Sequence, residues 1–310
     1  MPARYQILPE VFSQGIEIPS PDAEGVAQKA THTQSSLLTR PTTTAVEQVP
    51  ARFGLVDDSP DRWKKLRAKI IEINSTLQPR GEDDSTVSRD AQSTSECKLL
   101  LLVRHGEGFH NVAEARYGTE AWDDYWSKLE GDGELVWGPD PPLTAKGIAQ
   151  AQHTREVWEQ ELQHGLVPPG KIFCSPHSRA LKTCEIVFDG YFTDGRVTVV
   201  ENCREENGVH TCDKRRPRSF IAANYPHFNI EDSLTEEDEL WSPDVRETKV
   251  EVAARAQGVI EKIWRERPDD WFVGVTAHSG FINGVLLALG SKPYPLPTGG
   301  VLPLVIRRTL

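Results

Sequence analysis

Positive charge is in short supply. The chain has 310 residues, of which 35 are Lys or Arg and 46 are Asp or Glu, giving a formal net charge of -11. Nucleic acid and anionic membranes are bound through a basic footprint, so neither is expected as a partner. Cysteine is also sparse: Cys97, Cys174, Cys184, Cys203 and Cys212 form no C-x-x-C pair and are odd in number. A structural zinc site and a disulfide framework both need a different pattern, and reduced thiols in a cytoplasmic protein are the expectation. No apolar run approaches the roughly 18 residues that span a bilayer. The opening MPARYQILPEVF has no basic stretch followed by an apolar one, so it does not read as a secretory signal.

What is present falls into two parts. Residues 1–97 are rich in Pro, Ser, Thr and Gln, with two apolar islands. One is Tyr5, Ile7, Leu8, Val11 and Phe12. The other is Trp63, Leu66, Ile70, Ile71 and Ile73 at helical spacing after Asp58-Ser59-Pro60, which predicts a helix near 60–76 with a capped start. The polar stretch 78–96 predicts a mobile loop. This arm is read either as an extension anchored on the main domain or as a separate regulatory module.

Residues 98–310 alternate between strand and helix patterns. Strands are predicted at 99–103, 171–174, 197–200, 271–275 and 301–306, and helices at 144–163, 178–188, 246–267 and 280–289. Such alternation predicts an α/β fold, a three-layer α/β/α sandwich around a mostly parallel sheet. The acidic stretch 231–239 reads as solvated surface.

In such sheets reactive groups gather at the carboxyl ends of the strands. Arg104, His105, Gly106 and Glu107 follow the first predicted strand. Ser175 to Arg179 follow the second, Cys203 to Glu206 the third, and Ala277 to Gly280 the fourth. Two arginines, two histidines and a carboxylate at one sheet edge suit phosphoryl transfer, which asks mainly for positioning and charge neutralisation. Arg104 and Arg179 can fork phosphoryl oxygens. His105 is a nucleophile while neutral, and nearby arginines favour that form. His278 can donate to developing charge. Glu205 can protonate a leaving oxygen and later activate water, although the adjacent Glu206 is open as the acid. No metal or other cofactor is implied.

With these residues in view the sequence resembles the histidine phosphatase superfamily, the phosphoglycerate-mutase-like proteins. Arg104-His105-Gly106-Glu107 with Asn111 is similar to its first motif, Ser175-Pro176-x-x-Arg179-Ala180-x-x-Thr183 to its second, and Ala277-His278-Ser279-Gly280 to its last, with Leu143-Thr144-x-x-Gly147 between. Gly108-x-His110-Asn111 and Gly208-Val209-His210-Thr211-Cys212-Asp213 resemble a branch found in fungi and plants. The resemblance implies a phosphorylated His105, a phosphate pocket completed by Arg104, Arg179 and His278, and further substrate contacts at Gly106 and Asn111. It implies a phosphohydrolase for a small phosphorylated molecule. The rivals are a phosphomutase, although Glu205 to His210 departs from the glycolytic E-R-H-Y-G stretch, and an inactive phosphate-binding scaffold.

Other residues carry two readings. Lys214, Arg215, Arg216 and Arg218 are either a solvated turn or a second anion site. In the second case Arg215 and Arg216 bind a further charged group of the substrate. Glu107 is expected to buttress Arg104, and His110 either touches substrate or packs. His153, His164, His177 and His227 are expected at the surface or in loops. The aromatic-rich insert 112–142 is expected to pack its tryptophans and to roof the pocket.

Overall fold

The computed structural model describes residues 3–8, 11–13, 49–75, 95–191 and 195–310. Its frame is a seven-stranded sheet in the order β1-β7-β2-β6-β3-β4-β5. The strands are β1 (Arg4–Ile7), β2 (Ser95–Arg104), β3 (Lys171–Cys174), β4 (Val197–Val199), β5 (Asn229–Ile230), β6 (Phe272–Ala277) and β7 (Val301–Thr309). From β2 across to β5 every pairing is parallel, while β7 runs antiparallel to both β2 and β1. Strand β2 is central because nothing along Leu99 to Val103 needs water: all five side chains are buried, as expected of a strand covered on both faces.

The covering helices form two layers. On one face lie α1 (Arg62–Ser75), α4 (Ala145–Leu162), α5 (Ser178–Val187) and the short α6 (Arg218–Asn224), which bury Leu66, Val157, Leu181 and Ile221 in one core with Leu99, Leu101 and Val103. On the other lie α7 (Lys249–Glu266) and α8 (Ser279–Ala288), which bury Ile260 and Phe281 against Leu100 and Leu102. Alternate residues of one strand therefore feed opposite cores, as the period of two requires.

The described parts of the amino-terminal arm pack on this sandwich. β1 pairs along β7, and α1 docks through the buried Trp63 and Ile70. Glu161 of α4 clamps α1 from inside. Its carboxylate accepts from Arg62 Nε and Nη2 at 2.7 Å each and from Trp63 Nε1 at 2.6 Å. The loop expected at 78–96 falls outside the described residues except at its end, where Ser95 and Glu96 already belong to β2.

Element limits otherwise shift by a few residues. Among the helices the largest shift is at α7, which starts at Lys249 rather than Arg246. Thr248 is its N-cap, accepting from the Glu251 amide while the Glu251 side chain returns to Thr248; this capping box fixes the start. The insert 112–142 holds most of α2 (Phe109–Tyr117) and all of α3 (Thr119–Asp124) and builds a small core together with Cys212. There Ala113, Trp122, Trp137 and Cys212 are buried, with Tyr117 and Trp126 packed alongside. Trp158 belongs instead to the main core, between Phe53, Phe188 and Phe272. No described helix is long and apolar enough to cross a membrane.

Candidate active site

The carboxyl ends of β2, β3, β4 and β6 meet at one sheet edge, and a cavity of about 470 Å³ opens there. Arg104, His105, His110, Asn111, Glu205 and Glu206 are among its lining residues. His105 is held at the end of β2 by its own amide, which donates to Ala277 O across the sheet. The ring lies 4.9 Å from that of His278 and 5.4 Å from that of His110.

One contact fixes the chemistry of His105. Its Nδ1 is 2.6 Å from Gly106 O. A carbonyl only accepts, so Nδ1 carries the proton and Nε2 is left with a lone pair. Burial disfavours the imidazolium first, and the charges of Arg179, His110 and Arg104 add to this, so His105 stays neutral well below the usual histidine range. The same holds for His278, where burial and then Arg179 act against a proton.

Arg104 lines the cavity and anchors itself through Nη1 to Leu296 O at 2.6 Å. Arg179 lies deeper and is fully buried. Its Nη1 donates to Cys212 O and its Nη2 to Asp213 Oδ1, each at 2.8 Å. Asp213 shares its other oxygen with Arg246 at 2.9 Å. The carboxylate thus sits between two guanidiniums. Burial alone would raise its pKa, but Arg246, Arg179 and His177 outweigh that and hold it far below the usual carboxylate range.

Glu205 is pinned at the start of α8. Its carboxylate accepts from the amides of Gly280 and Phe281 at 3.1 Å and from the Glu206 amide at 2.9 Å. A side chain at position 280 would meet Glu205 Oε1 at 2.2 Å, so only glycine permits the approach. The Glu206 carboxylate instead meets Arg246 and Lys249. Of the two candidate acids, Glu205 is therefore the one without a cation on its oxygens among the described residues.

Several expected placements are not found. Gly106 does not line the cavity: its amide donates to Thr183 Oγ1 and its Cα packs on Gly147, where a Cβ would come within 2.2 Å of Gly147 O. Asn111 does line it, but its Oδ1 accepts from the Gly108 amide and caps α2. The oxygens of Glu107, expected to buttress Arg104, take Thr144 Oγ1 and Lys146 Nζ.

The basic cluster turns away from the cavity. Arg215 is buried, with Nε on Glu201 and its other nitrogens on carbonyls of Arg216, Thr235, Glu236 and Glu237. Arg216 lies over the Phe220 ring, Lys214 over Trp241, and Arg218 donates to Glu231 O and Leu234 O. Nor is the acidic stretch 231–239 merely solvated: Asp238 accepts from both terminal nitrogens of the buried Arg204. His177, expected at the surface, is fully buried beside His278.

Sequence reasoning missed Arg246 and Lys249, the cations that reach the cavity, as well as Trp122 and Asp123 on its rim. Their placement depends on how α3 and the approach to α7 fold over the sheet edge, which no local pattern records. His210, Cys212 and Asp213 present three metal-type donor atoms within 4.8 Å of one another. Two guanidiniums on the Asp213 carboxylate make that spot unfavourable for a cation.

Comparison with known proteins agrees with this geometry. Residues 100–298 match the histidine phosphatase superfamily (branch 1). A "Probable phosphoglycerate mutase" from Arthroderma benhamiae is 39% identical over 82% of this chain and 76% of its own. "Phosphomutase-like protein 3" from Candida albicans is 35% identical over 75% and 72%. "Phosphoglycerate mutase-like protein 1" from Arabidopsis thaliana is 30% identical over 64% and 74%.

Proposed function

Because the chain belongs to the histidine phosphatase superfamily, branch 1, we propose that it is a metal-independent phosphohydrolase that carries the phosphoryl group of a small phosphorylated compound on His105 before passing it to water. The observation that carries this reading is the Nδ1 contact of His105 to Gly106 O, which leaves Nε2 unprotonated on a neutral ring at the cavity floor.

The sequence of events follows from what surrounds that nitrogen. Arg104 and Arg179 concentrate positive charge beside it, which draws the phosphoryl group in and spreads the charge of the transition state. Nε2 bonds to phosphorus as the bond to the leaving oxygen breaks. Glu205, fixed at the rim by three amides, delivers a proton to that oxygen. It then takes a proton from a water molecule whose oxygen attacks phosphorus, the N–P bond breaks, and inorganic phosphate leaves. Glu205 is favoured over Glu206 because the latter is tied up by Arg246 and Lys249.

A phosphomutase is the second reading, favoured by the names of the relatives. It uses the same nitrogen but returns the phosphoryl group to another oxygen. Wild-type protein releasing inorganic phosphate from p-nitrophenyl phosphate, without a bisphosphate primer and with excess chelator, supports the hydrolase. His105→Ala is expected to fold yet lose nearly all turnover, and trapped label should sit on His105. Label on another residue, or no release by the wild type, would defeat the proposal.

A further inference from the structure

A chain of buried hydrogen bonds runs from His278 to the main chain at Asp213, and its two middle members, Ser175 and His177, do not line the cavity. His278 Nε2 lies 2.7 Å from Ser175 Oγ, Ser175 Oγ lies 3.2 Å from His177 Nδ1, and His177 Nε2 lies 3.0 Å from Asp213 O. All three side chains are fully buried. The Asp213 carbonyl also accepts from Arg204 Nη2 at 2.9 Å.

The direction of every proton in this chain can be read from its far end. A carbonyl only accepts, so His177 Nε2 bears hydrogen. His177 is neutral, since burial and then the charges of Arg179 and Arg204 push it down to about 3. Its Nδ1 is therefore an acceptor. Ser175 has a single hydroxyl proton and must give it to that nitrogen; the other orientation would set two lone pairs against each other at 3.2 Å. The serine oxygen is then free only to accept, so His278 Nε2 is the nitrogen with hydrogen. His278 Nδ1 is left as a bare acceptor, buried and without a partner among the described residues.

We propose that Ser175 and His177 set the tautomer of His278, so that this site takes up its phosphoryl group together with a proton. The inference rests on the hydrolase reading above. A phosphoryl dianion has no hydrogen to offer a bare Nδ1. It is held there only when His278 gains a proton from solvent, whereas a monoanion supplies the hydrogen through its own P–OH. The groups facing His278 explain why the proton waits for the ligand. Arg179 from α5, His105 from the end of β2, His110 from α2 and His177 from the β3–α5 turn all oppose a charge on it. The carboxylate of Glu205, from beyond β4, is held by the amides of Gly280 and Phe281 two and three residues along from His278. An incoming dianion reverses that balance. His177 and Ser175 are thus positioning residues, acting through His278.

The test uses tungstate, a dianion that carries no proton of its own at about pH 8, and titration calorimetry in buffers of different ionisation enthalpy. The wild type is expected to take up about one proton per tungstate bound. In Ser175→Ala and in His177→Leu the constraint on Nε2 is gone, His278 can turn its hydrogen to Nδ1, and uptake should fall towards zero while tungstate still binds. Ser175→Ala removes one hydroxyl only, so the test stands even if His177→Leu misfolds. Wild-type binding without uptake, or equal uptake in wild type and Ser175→Ala, overturns the inference and leaves the hydrolase reading intact. Failure of the wild type to bind tungstate at all overturns both.

Discussion

Replacing Asp213 with Asn is the sharpest probe of how this site is held together. The carboxylate is buried and joins Arg179, fully buried at 2.8 Å, to Arg246 at 2.9 Å. Removing one partner of a buried ion pair costs about 3–5 kcal/mol, because the other charge stays desolvated. Some of that is recovered here. Arg179 keeps Cys212 O, and Arg246 keeps the carbonyls of Glu206 and Gly208. Asn also retains one oxygen. The expected loss is therefore at the lower end, about 3 kcal/mol, read as an earlier midpoint in urea denaturation followed by tryptophan fluorescence. Pairing Asp213→Asn with Arg246→Met should cost less than the two single changes summed, since the second charge is then removed as well. The pH dependence has a definite sign. The carboxyl is held below its unfolded value, so its contribution is present above about pH 4 and drains away as pH falls towards the folded pKa. A loss below about 1 kcal/mol, or one unchanged under acid, would refute the idea that this carboxylate holds the two guanidiniums.

Further outcomes follow from the same contacts. Glu205→Gln should lower kcat by about 10²–10⁴-fold for alkyl phosphates and far less for p-nitrophenyl phosphate, whose leaving group needs little proton; equal losses on both would remove Glu205 from the acid role. Arg215→Ala should cost about 1–3 kcal/mol of stability, since Glu201 loses one guanidinium but keeps Arg204 Nη1, and should leave the ratio of kcat/KM between doubly and singly anionic substrates unchanged, as a two-substrate assay would show. Glu161→Ala should release α1, seen as protease cleavage within 60–75 and a red-shifted tryptophan spectrum at unchanged kcat; a clamp that does nothing would leave both signals where they were.

The sheet could be read from the sequence because its central strands are buried on both faces and so carry unbroken apolar runs, Leu99 to Val103 above all. Strand ends then singled out His105, Glu205 and His278, with Arg179 in the first turn of α5; His105 and Glu205 line the cavity, while Arg179 and His278 are fully buried and are not among its lining residues. The errors share a cause. His177 follows a Ser-Pro pair and reads as loop, but its burial comes from a carbonyl 36 residues on. Arg215 sits in a run of positive charge, and the run says nothing of Glu201 or of the carbonyls at 235–237 that enclose it. The start of α7, in contrast, was encoded locally in Thr248 and Glu251; the apolar periodicity simply extends past it.

The clip between Glu205 and the first turn of α8 has a mechanical consequence. His278 is the N-cap of that helix, and Gly280 and Phe281 are the residues that grip the carboxylate. The ring of His278 and the carboxylate of Glu205 are therefore tied to the same end of one helix. When α8 shifts against its neighbours, both groups are carried together and their spacing survives. Gly284 lets the helix lie so close to α7 that a side chain there would strike Val252 at 2.7 Å, so the packing of these two helices leaves no room for α8 to move nearer to α7.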